Sequence, residues 1–491
     1  MVEYKKLKEI FKRYYLLEKV NEILGWDRQV MMPEGGFTMR KEQQIFLDDL
    51  SNEIVCSKEV KKLIDNCDIS KLSDFEKRDF ALMKNIMSHK TAIPKKLQQE
   101  FIKLGLETEQ IWVKARESDN FNAFNKSFKK LVKIIREIAH IKSEVLGVSP
   151  YDALIDQYDE GRKEKDLDNL FSKLSDKLPS LIDKIIAQQK ESVHFLDDYS
   201  VKLQEKLGLQ VIKSFGVDNL WCRADEAVHP FSSSEPGDGR ITTRYLKNDF
   251  ISGLMAFIHE AGHAIYDNNR PLDTMLQPIG QFQGMALHES QSLFMEMQIG
   301  RSRAFCKFLA PQICDIFGLS NKICNEESLF NKMNFVKKSY IRVDADEVTY
   351  PLHVMMRYEI EKDLIYDKIQ TDDLPDVWND KLKTFFDLKA PKVSKGVLQD
   401  IHWGSGTFGY FPTYSLGAIY ASQIAAKVKQ LITNYEQLIA KGEFTEILNC
   451  IKDNIHKKAA VDTADNIVKD FCGEPLNADV FLNYIKDKYC D

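Results

Sequence analysis

The chain has 491 residues, 44% hydrophobic and 29% charged, with a formal net charge of -6. That length supports a large core and, taken alone, suggests about two to four domains. Lysines and acids are interspersed, so no basic face for nucleic acid stands out, and no apolar run reaches the ~18 residues of a membrane span.

Glycine and proline together make up 37 residues, under a tenth of the chain. Average usage is about 12%, so the shortage favours long helices over a turn-rich β protein. Residues 1–20, MVEYKKLKEIFKRYYLLEKV, are charged and periodic and lack the apolar stretch and cleavage site of a secretory signal. Pro33, Glu34, Gly35 and Gly36 end the first helical pattern. The first 200 residues read as successive amphipathic helices, without a solenoid repeat or a Gly/Ser linker. Residues 165–189 are typical, with Leu167, Leu170, Phe171, Leu174, Leu178 and Leu181 at three- and four-residue spacings. Residues 219–250 combine a Pro/Gly/Ser cluster with RITTRY and predict a short β-hairpin or sheet. Helices resume near 250. An aromatic, glycine-rich stretch at 396–414 reads as a loop of the kind that often carries function, and the remainder is helical. Nine cysteines, at 56, 67, 222, 306, 314, 324, 450, 472 and 490, form no C-x-x-C pair and are odd in number. They predict a reduced, cytoplasmic set rather than a cysteine zinc site.

Residues 256–267, AFIHEAGHAIYD, place His259, Glu260 and His263 in a helix otherwise suited to the interior. Burying such groups without partners costs several kcal/mol each. In a helix, positions i and i+4 share a face, so both imidazoles point the same way and can bind one zinc ion. Glu260 then sits beside the metal, where it can take a proton from water whose pKa zinc lowers toward ~7. Gly262 costs about 1 kcal/mol relative to alanine but permits another element to approach. A third protein ligand is required, leaving one position open. Glu289, in the helical stretch GMALHESQSLFMEMQIG (284–300), is the candidate, with His288 and Glu296 as rivals that spacing does not exclude. Glu296 reads better as a solvated or paired side chain.

Several stretches together resemble the Taq-type zinc metallocarboxypeptidases. HPF (229–231), DGRIT (238–242), HEAGH (259–263), HESQ (288–291), IRVDAD (341–346) and GVLQDIHW (396–403) are similar to that family's motifs, in its order. WDRQVMMPEGG (26–36), YDALIDQYDEG (151–161) and FGYFPTYSLG (408–417) are also similar, so the resemblance runs over nearly the whole chain. It implies removal of single residues from peptide C-termini with one zinc ion per chain, for which cobalt can substitute. It implies a mostly α-helical, two-lobed fold with a deep cleft and a small β element, related in shape to angiotensin-converting-enzyme and neurolysin peptidases. It also implies a homodimer and a single catalytic domain over 1–491, with a helical lobe at 1–200 and the zinc-binding region at 201–491. The metal ligands it implies are His259, His263 and Glu289, with Glu260 as general base.

The remaining motifs have physical readings beside the resemblance. A carboxypeptidase must recognise a free carboxylate, and a guanidinium fork does so with two parallel charge-assisted bonds. Arg342 resembles the family's carboxylate-binding arginine, with Asp346 one helical turn on to orient it; the alternative is an ordinary i, i+4 pair. Arg240 is similar to a second cleft arginine, or else bridges the hairpin. A tetrahedral oxyanion needs a donor besides the metal. Tyr410 is the candidate, with Tyr414 in reserve and His402 as donor or support. Their alternative is aromatic core packing. His229 contacts substrate backbone or locks a turn. Asp267 supports a ligand histidine or ends its helix in solvent. His353 reads as a core histidine. Where the family more often has glycine, serine and arginine, this chain has Cys222, Ala227 and Leu293, and residues 385–391 lack an expected glycine. These departures bear on packing and substrate preference. Two rival functions share these residues: an oligoendopeptidase or dipeptidyl carboxypeptidase using the same zinc site, and a non-catalytic helical binding protein. Retention of both histidines, Glu260 and Glu289 argues against the second.

Overall fold

Apolar residues three and four apart recur through most of the sequence, and helices bury those stripes. The computed structural model describes residues 2–190, 192–227 and 229–490. The first half is α1 (Val2–Val30), α2 (Phe37–Val55), α3 (Lys58–Asp65), α4 (Asp74–Ala92), α5 (Lys95–Glu117), α6 (Phe121–Leu146), α7 (Pro150–Ile155), α8 (Glu164–Gln188) and α9 (Val201–Ser214). Three strands follow, β1 (Cys222–Glu226), β2 (Ser232–Glu235) and β3 (Asp238–Thr243). Then come α10 (Phe250–Asn268), α11 (Gly284–Leu293), α12 (Arg303–Phe317), α13 (Glu326–Met333), α14 (Tyr350–Ile365) and α15 (Leu374–Phe386). The chain closes with α16 (Pro412–Leu431), α17 (Tyr435–Lys441), α18 (Thr445–Asn454), α19 (Ala464–Cys472) and α20 (Ala478–Cys490).

The fold is therefore mostly helical with one small sheet, as expected. In α8, Leu167, Leu170, Phe171, Leu174 and Leu178 face inward, and Leu181 packs partly buried at the margin. Local chemistry marks the ends. Ser73 and Glu76 form a capping box at α4, and Asn120 caps α6, which stops at left-handed Gly147. No helix of the described residues is long and apolar enough to cross a membrane.

The sheet has the order β1-β3-β2, with β1 parallel to β3 and β2 antiparallel to it. It lies against α10, where the Thr243 hydroxyl donates to the Gly253 carbonyl at 2.7 Å. The main apolar core runs from Trp112 to Ile485 and so crosses position 200. A second core, from Tyr4 to Met83, is built from the N-terminal segment, with Leu276 packed against it.

Helix α11 lies between α10 and α16, and glycine on each neighbour permits the approach. A Cβ at Gly262 would stand 2.7 Å from the Gln291 carbonyl oxygen and the Ser292 Cα. One at Gly417 of α16 would stand 2.7 Å from the Glu289 Cγ. Gly262→Ala gains roughly 1 kcal/mol of helix propensity but meets backbone that cannot yield. The expected net loss is about 1–3 kcal/mol, together with weaker metal binding as α11 is pushed outward. Thermal unfolding and chelator competition measure both. An unchanged midpoint with unchanged affinity would contradict the close crossing.

Candidate active site

Asp249 caps α10, accepting from the amides of Ile251 and Ser252, and sets the helix on which His259 and His263 share a face. Across the α10–α11 crossing stands Glu289. Its Oε2 is 3.5 Å from His263 Nε2 and 3.8 Å from His259 Nε2. The three donor atoms lie within 4.8 Å of one another. A tetrahedral ion with bonds of about 2.0–2.1 Å sets its ligands about 3.4 Å apart, so this group fits zinc-type coordination.

The two rivals of Glu289 take other places. Glu296 lies in the π-helical turn Phe294–Gly300, buried, with Oε2 3.0 Å from His259 Nδ1 and Oε1 accepting from Arg301 Nη2 at 3.0 Å. It faces the ring nitrogen opposite the donor group, the usual arrangement for holding a metal-binding imidazole. His288 stacks on His263, with centroids 4.4 Å apart, and pairs through Nε2 with Asp267 at 3.1 Å. Asp267 thus supports His288 rather than a donor histidine, and it is buried rather than solvated.

Glu260 is only 7% exposed. Burial pushes its carboxyl up to about 7, with His259 opposing the shift. An acid poised there exchanges protons readily at neutral pH. For His259, burial favours the neutral ring, but Glu289, Glu296 and Glu260 outweigh it and lift it to about 10. Burial and His288 push His263 down to about 4. Three carboxylates around two imidazoles form a pocket of negative charge that a divalent cation would neutralise.

A second cluster surrounds Arg342, which is 7% exposed. Its Nε donates to Asp400 Oδ1 at 2.9 Å and its Nη1 to the Tyr350 hydroxyl at 2.7 Å. Among the described residues Nη2 has no hydrogen-bond partner. Tyr414 and Phe411 lie against the guanidinium at 5.1 and 5.6 Å. Asp400 also accepts from Arg357 Nε at 2.6 Å, and its carboxyl is held far below the usual range: burial opposes ionisation, but Arg357 and Arg342 prevail. Asp346 does not orient Arg342, because Arg342–Asp344 is a single 3-10 turn and the chain is extended at Ala345. Asp346 accepts instead from the amides of Val348, Thr349 and Lys337.

Residues 402–411 and the first turn of α16, which carries Tyr414, bring these candidates together. His402 Nε2 is 3.2 Å from the Tyr414 hydroxyl, and burial with the Arg342 charge pushes the ring down to about 3, so it is neutral. Tyr410 stands edge-on to Tyr158 at 5.1 Å and to Tyr414 at 5.3 Å. Burial and the Glu289 charge keep its hydroxyl protonated. Arg240 is engaged elsewhere. It pairs with both oxygens of Asp238 at 2.9 Å and lies over Trp26 at 4.8 Å. His229 is exposed ahead of β2, its ring kept neutral by partial burial and by Arg244 and Arg116. His353 is fully buried beside Phe386, as a core histidine. Cys222 and Leu293 are buried.

Arg301, Tyr350, Arg357, Asp400 and Tyr158 join these clusters without having been singled out by spacing. Asp400 carried a signal, an acid two residues before His402 in a stretch otherwise apolar and aromatic. The rest meet only through tertiary packing.

The sequence matches the family model described as Carboxypeptidase Taq (M32) metallopeptidase over residues 6–489. It is 31% identical to thermostable carboxypeptidase 1 of Pyrococcus furiosus, covering 98% of this chain and 97% of that protein. It is 32% identical to carboxypeptidase 1 of Bacillus subtilis with the same coverage. The fold superposes on metallocarboxypeptidase 1 of Trypanosoma cruzi with a TM-score of 0.96, at 31% identity and 100% coverage of both chains.

Glu296→Gln removes the charge facing His259 Nδ1. Metal affinity is expected to fall about 10–100-fold, while far-ultraviolet circular dichroism stays unchanged. Competition with a fluorescent chelator reads the affinity, and equal affinity would refute the supporting contact. Asp400→Asn leaves two buried guanidinium groups short of their counter-charge, with an expected loss of about 3–5 kcal/mol in thermal or chemical unfolding.

Proposed function

The chain belongs to the carboxypeptidase Taq (M32) metallopeptidase family, and from that premise we propose that it uses zinc to release single C-terminal residues from peptides. The observation that carries the reading is the convergence of His259, His263 and Glu289, with Glu260 buried beside them. These three would hold one zinc ion, and the oxygen- and nitrogen-donor set also suits cobalt. The chemistry such an ion supplies when bound is Lewis acidity, which lowers the pKa of water toward ~7 and polarises the scissile carbonyl.

The protein's own residues complete the reaction. Glu260 takes a proton from the attacking water as its oxygen bonds to the carbonyl carbon. The Tyr410 hydroxyl donates to the oxygen on which negative charge develops. Glu260 passes the proton to the departing amine as the carbon–nitrogen bond breaks. Arg342 offers its free Nη2 edge to the substrate carboxylate, and Asp400 and Tyr350 fix the guanidinium plane. Tyr414 and neutral His402 line the same pocket as further hydrogen-bonding groups. Arg240 and His229 flank the cleft at the sheet, with Arg240 contributing through the Trp26 contact between α1 and β3.

Residues 1–491 act as one catalytic unit, and the family match spanning 6–489 supports this. Its nine free cysteines suit a reducing cytoplasm. A homodimer is expected, and sedimentation should give about twice the 56.7 kDa chain mass.

Glu260→Gln should keep one zinc per chain while kcat falls about 10²–10⁴-fold. Normal turnover in a zinc-loaded variant would remove Glu260 from the mechanism. Arg342→Met should lower kcat/KM about 10²-fold on free-carboxylate peptides and erase their advantage over C-terminally amidated ones. Mass spectrometry of the wild-type digest should show single residues. Dipeptides or internal cleavage would favour a dipeptidyl carboxypeptidase or an oligoendopeptidase on the same site.

A further inference from the structure

Glu361 of α14 is a fully buried acid that no step above uses. Its Oε2 accepts from the Tyr151 hydroxyl at 2.8 Å and from the Gly409 amide at 2.9 Å, and its Oε1 accepts from the Trp403 indole at 3.0 Å. All three partners are neutral donors, which favours a carboxylate there, whereas burial pushes the group up to about 7. Stability alone gives little reason for such a group, because apolar replacement of buried charges and their partners is often neutral or better.

The order of its partners along the chain is informative. Trp403 directly follows His402, and Gly409 directly precedes Tyr410. One carboxylate therefore holds both ends of the turn that carries the two groups. The bond to the Gly409 amide fixes the Phe408–Gly409 peptide plane, one residue before Tyr410, and with Gly409 in the left-handed region (φ 85°) it restrains the path on which the chain enters Tyr410. The third bond ties this arrangement to α7, and Tyr158, just beyond α7, supplies the edge against which the Tyr410 ring rests. An oxyanion donor must be placed within a fraction of an ångström, by a support that does not relax.

We propose that Glu361 is a positioning residue for Tyr410, holding its hydroxyl where the reacting carbonyl oxygen gains charge. The proposal rests on the reading of Tyr410 as oxyanion donor. Glu361→Gln keeps the shape but sets an amide N–H against one of three donors. Its kcat should fall at least about tenfold, with KM within about threefold and one zinc retained per chain. Tyr151→Phe removes the donor outside the turn and leaves both turn bonds. It should lose comparable thermal stability yet keep kcat within about twofold.

The proposal is overturned if Glu361→Gln retains kcat within twofold, changes KM alone or loses its metal, or if kcat follows thermal stability equally in both variants. Should Glu361→Gln not fold, Trp403→Phe, which drops one turn bond and keeps the carboxylate, should lower kcat about three- to tenfold at constant KM. Unchanged kcat there also overturns it. Tyr410→Phe is measured in parallel. Wild-type kcat in that variant removes the oxyanion reading itself, whereas loss there with intact turnover in Glu361→Gln removes only the positioning role.

Discussion

Gly262 lets the backbone of α10 rest against that of α11, and this approach sets His259 and His263 opposite Glu289. A side chain at Gly262 would push α11 away from α10 and open the donor group, whereas one at Gly417 would collide with the Glu289 side chain itself. The cost is backbone freedom at two helix-interior glycines, about 1 kcal/mol each against alanine. What the packing gains is a cation site whose geometry does not depend on flexible loops. Two donors lie one turn apart on one helix, and the third is on the helix wedged beside it.

The charges around the site are arranged so that few stand alone. His259 faces Glu296, which Arg301 holds. Behind His263 the chain runs from His288 to Asp267, to Arg270, to Glu235 of β2 and on to Lys19 of α1. Alternating signs make burial of so many ionisable groups tolerable, since each anion has a cation or donor within hydrogen-bond reach. The series also links the N-terminal helices to the metal helix through the sheet, as Trp26 of α1 does by lying between Arg223 and Arg240. Polar contacts thus connect the main core, which holds the donor group, to the N-terminal core.

What the sequence reveals of this follows the range of the interactions. His259, Glu260 and His263 are legible because i, i+4 geometry is local, and the sheet because turn residues and β-branched residues are local too. Glu289 is legible only as one of three candidates, since spacing along one helix carries no information about which face another helix presents. Asp346 is misread for a related reason: the i, i+4 argument presumes a helix, and IRVDAD winds one 3-10 turn before extending. Glu296, Asp400 and Glu361 meet their partners across more than 35 residues of chain; Glu296 shows locally as an acid among apolar residues, whereas Glu361, in the charged run 357–363, leaves no local sign. The whole-chain resemblance supplies part of what local physics does not, because ordered motifs encode which distant segments meet.

The expected carboxylate-binding arginine, Arg342, and the second cleft candidate, Arg240, are distinguished by their partners. Arg240 presents its Nε and Nη2 edge to both oxygens of Asp238 and covers Trp26 with its face, so a substrate would first have to displace an intramolecular copy of itself. Arg342 gives Nε and Nη1 to Asp400 and Tyr350, lies against the Tyr414 ring, and has no hydrogen-bond partner at Nη2 among the described residues. Because Arg357 shares Asp400, the two guanidinium groups together carry more positive charge than that one carboxylate balances. A guanidinium held in plane, desolvated and left partly uncompensated is suited to a carboxylate that arrives from solvent.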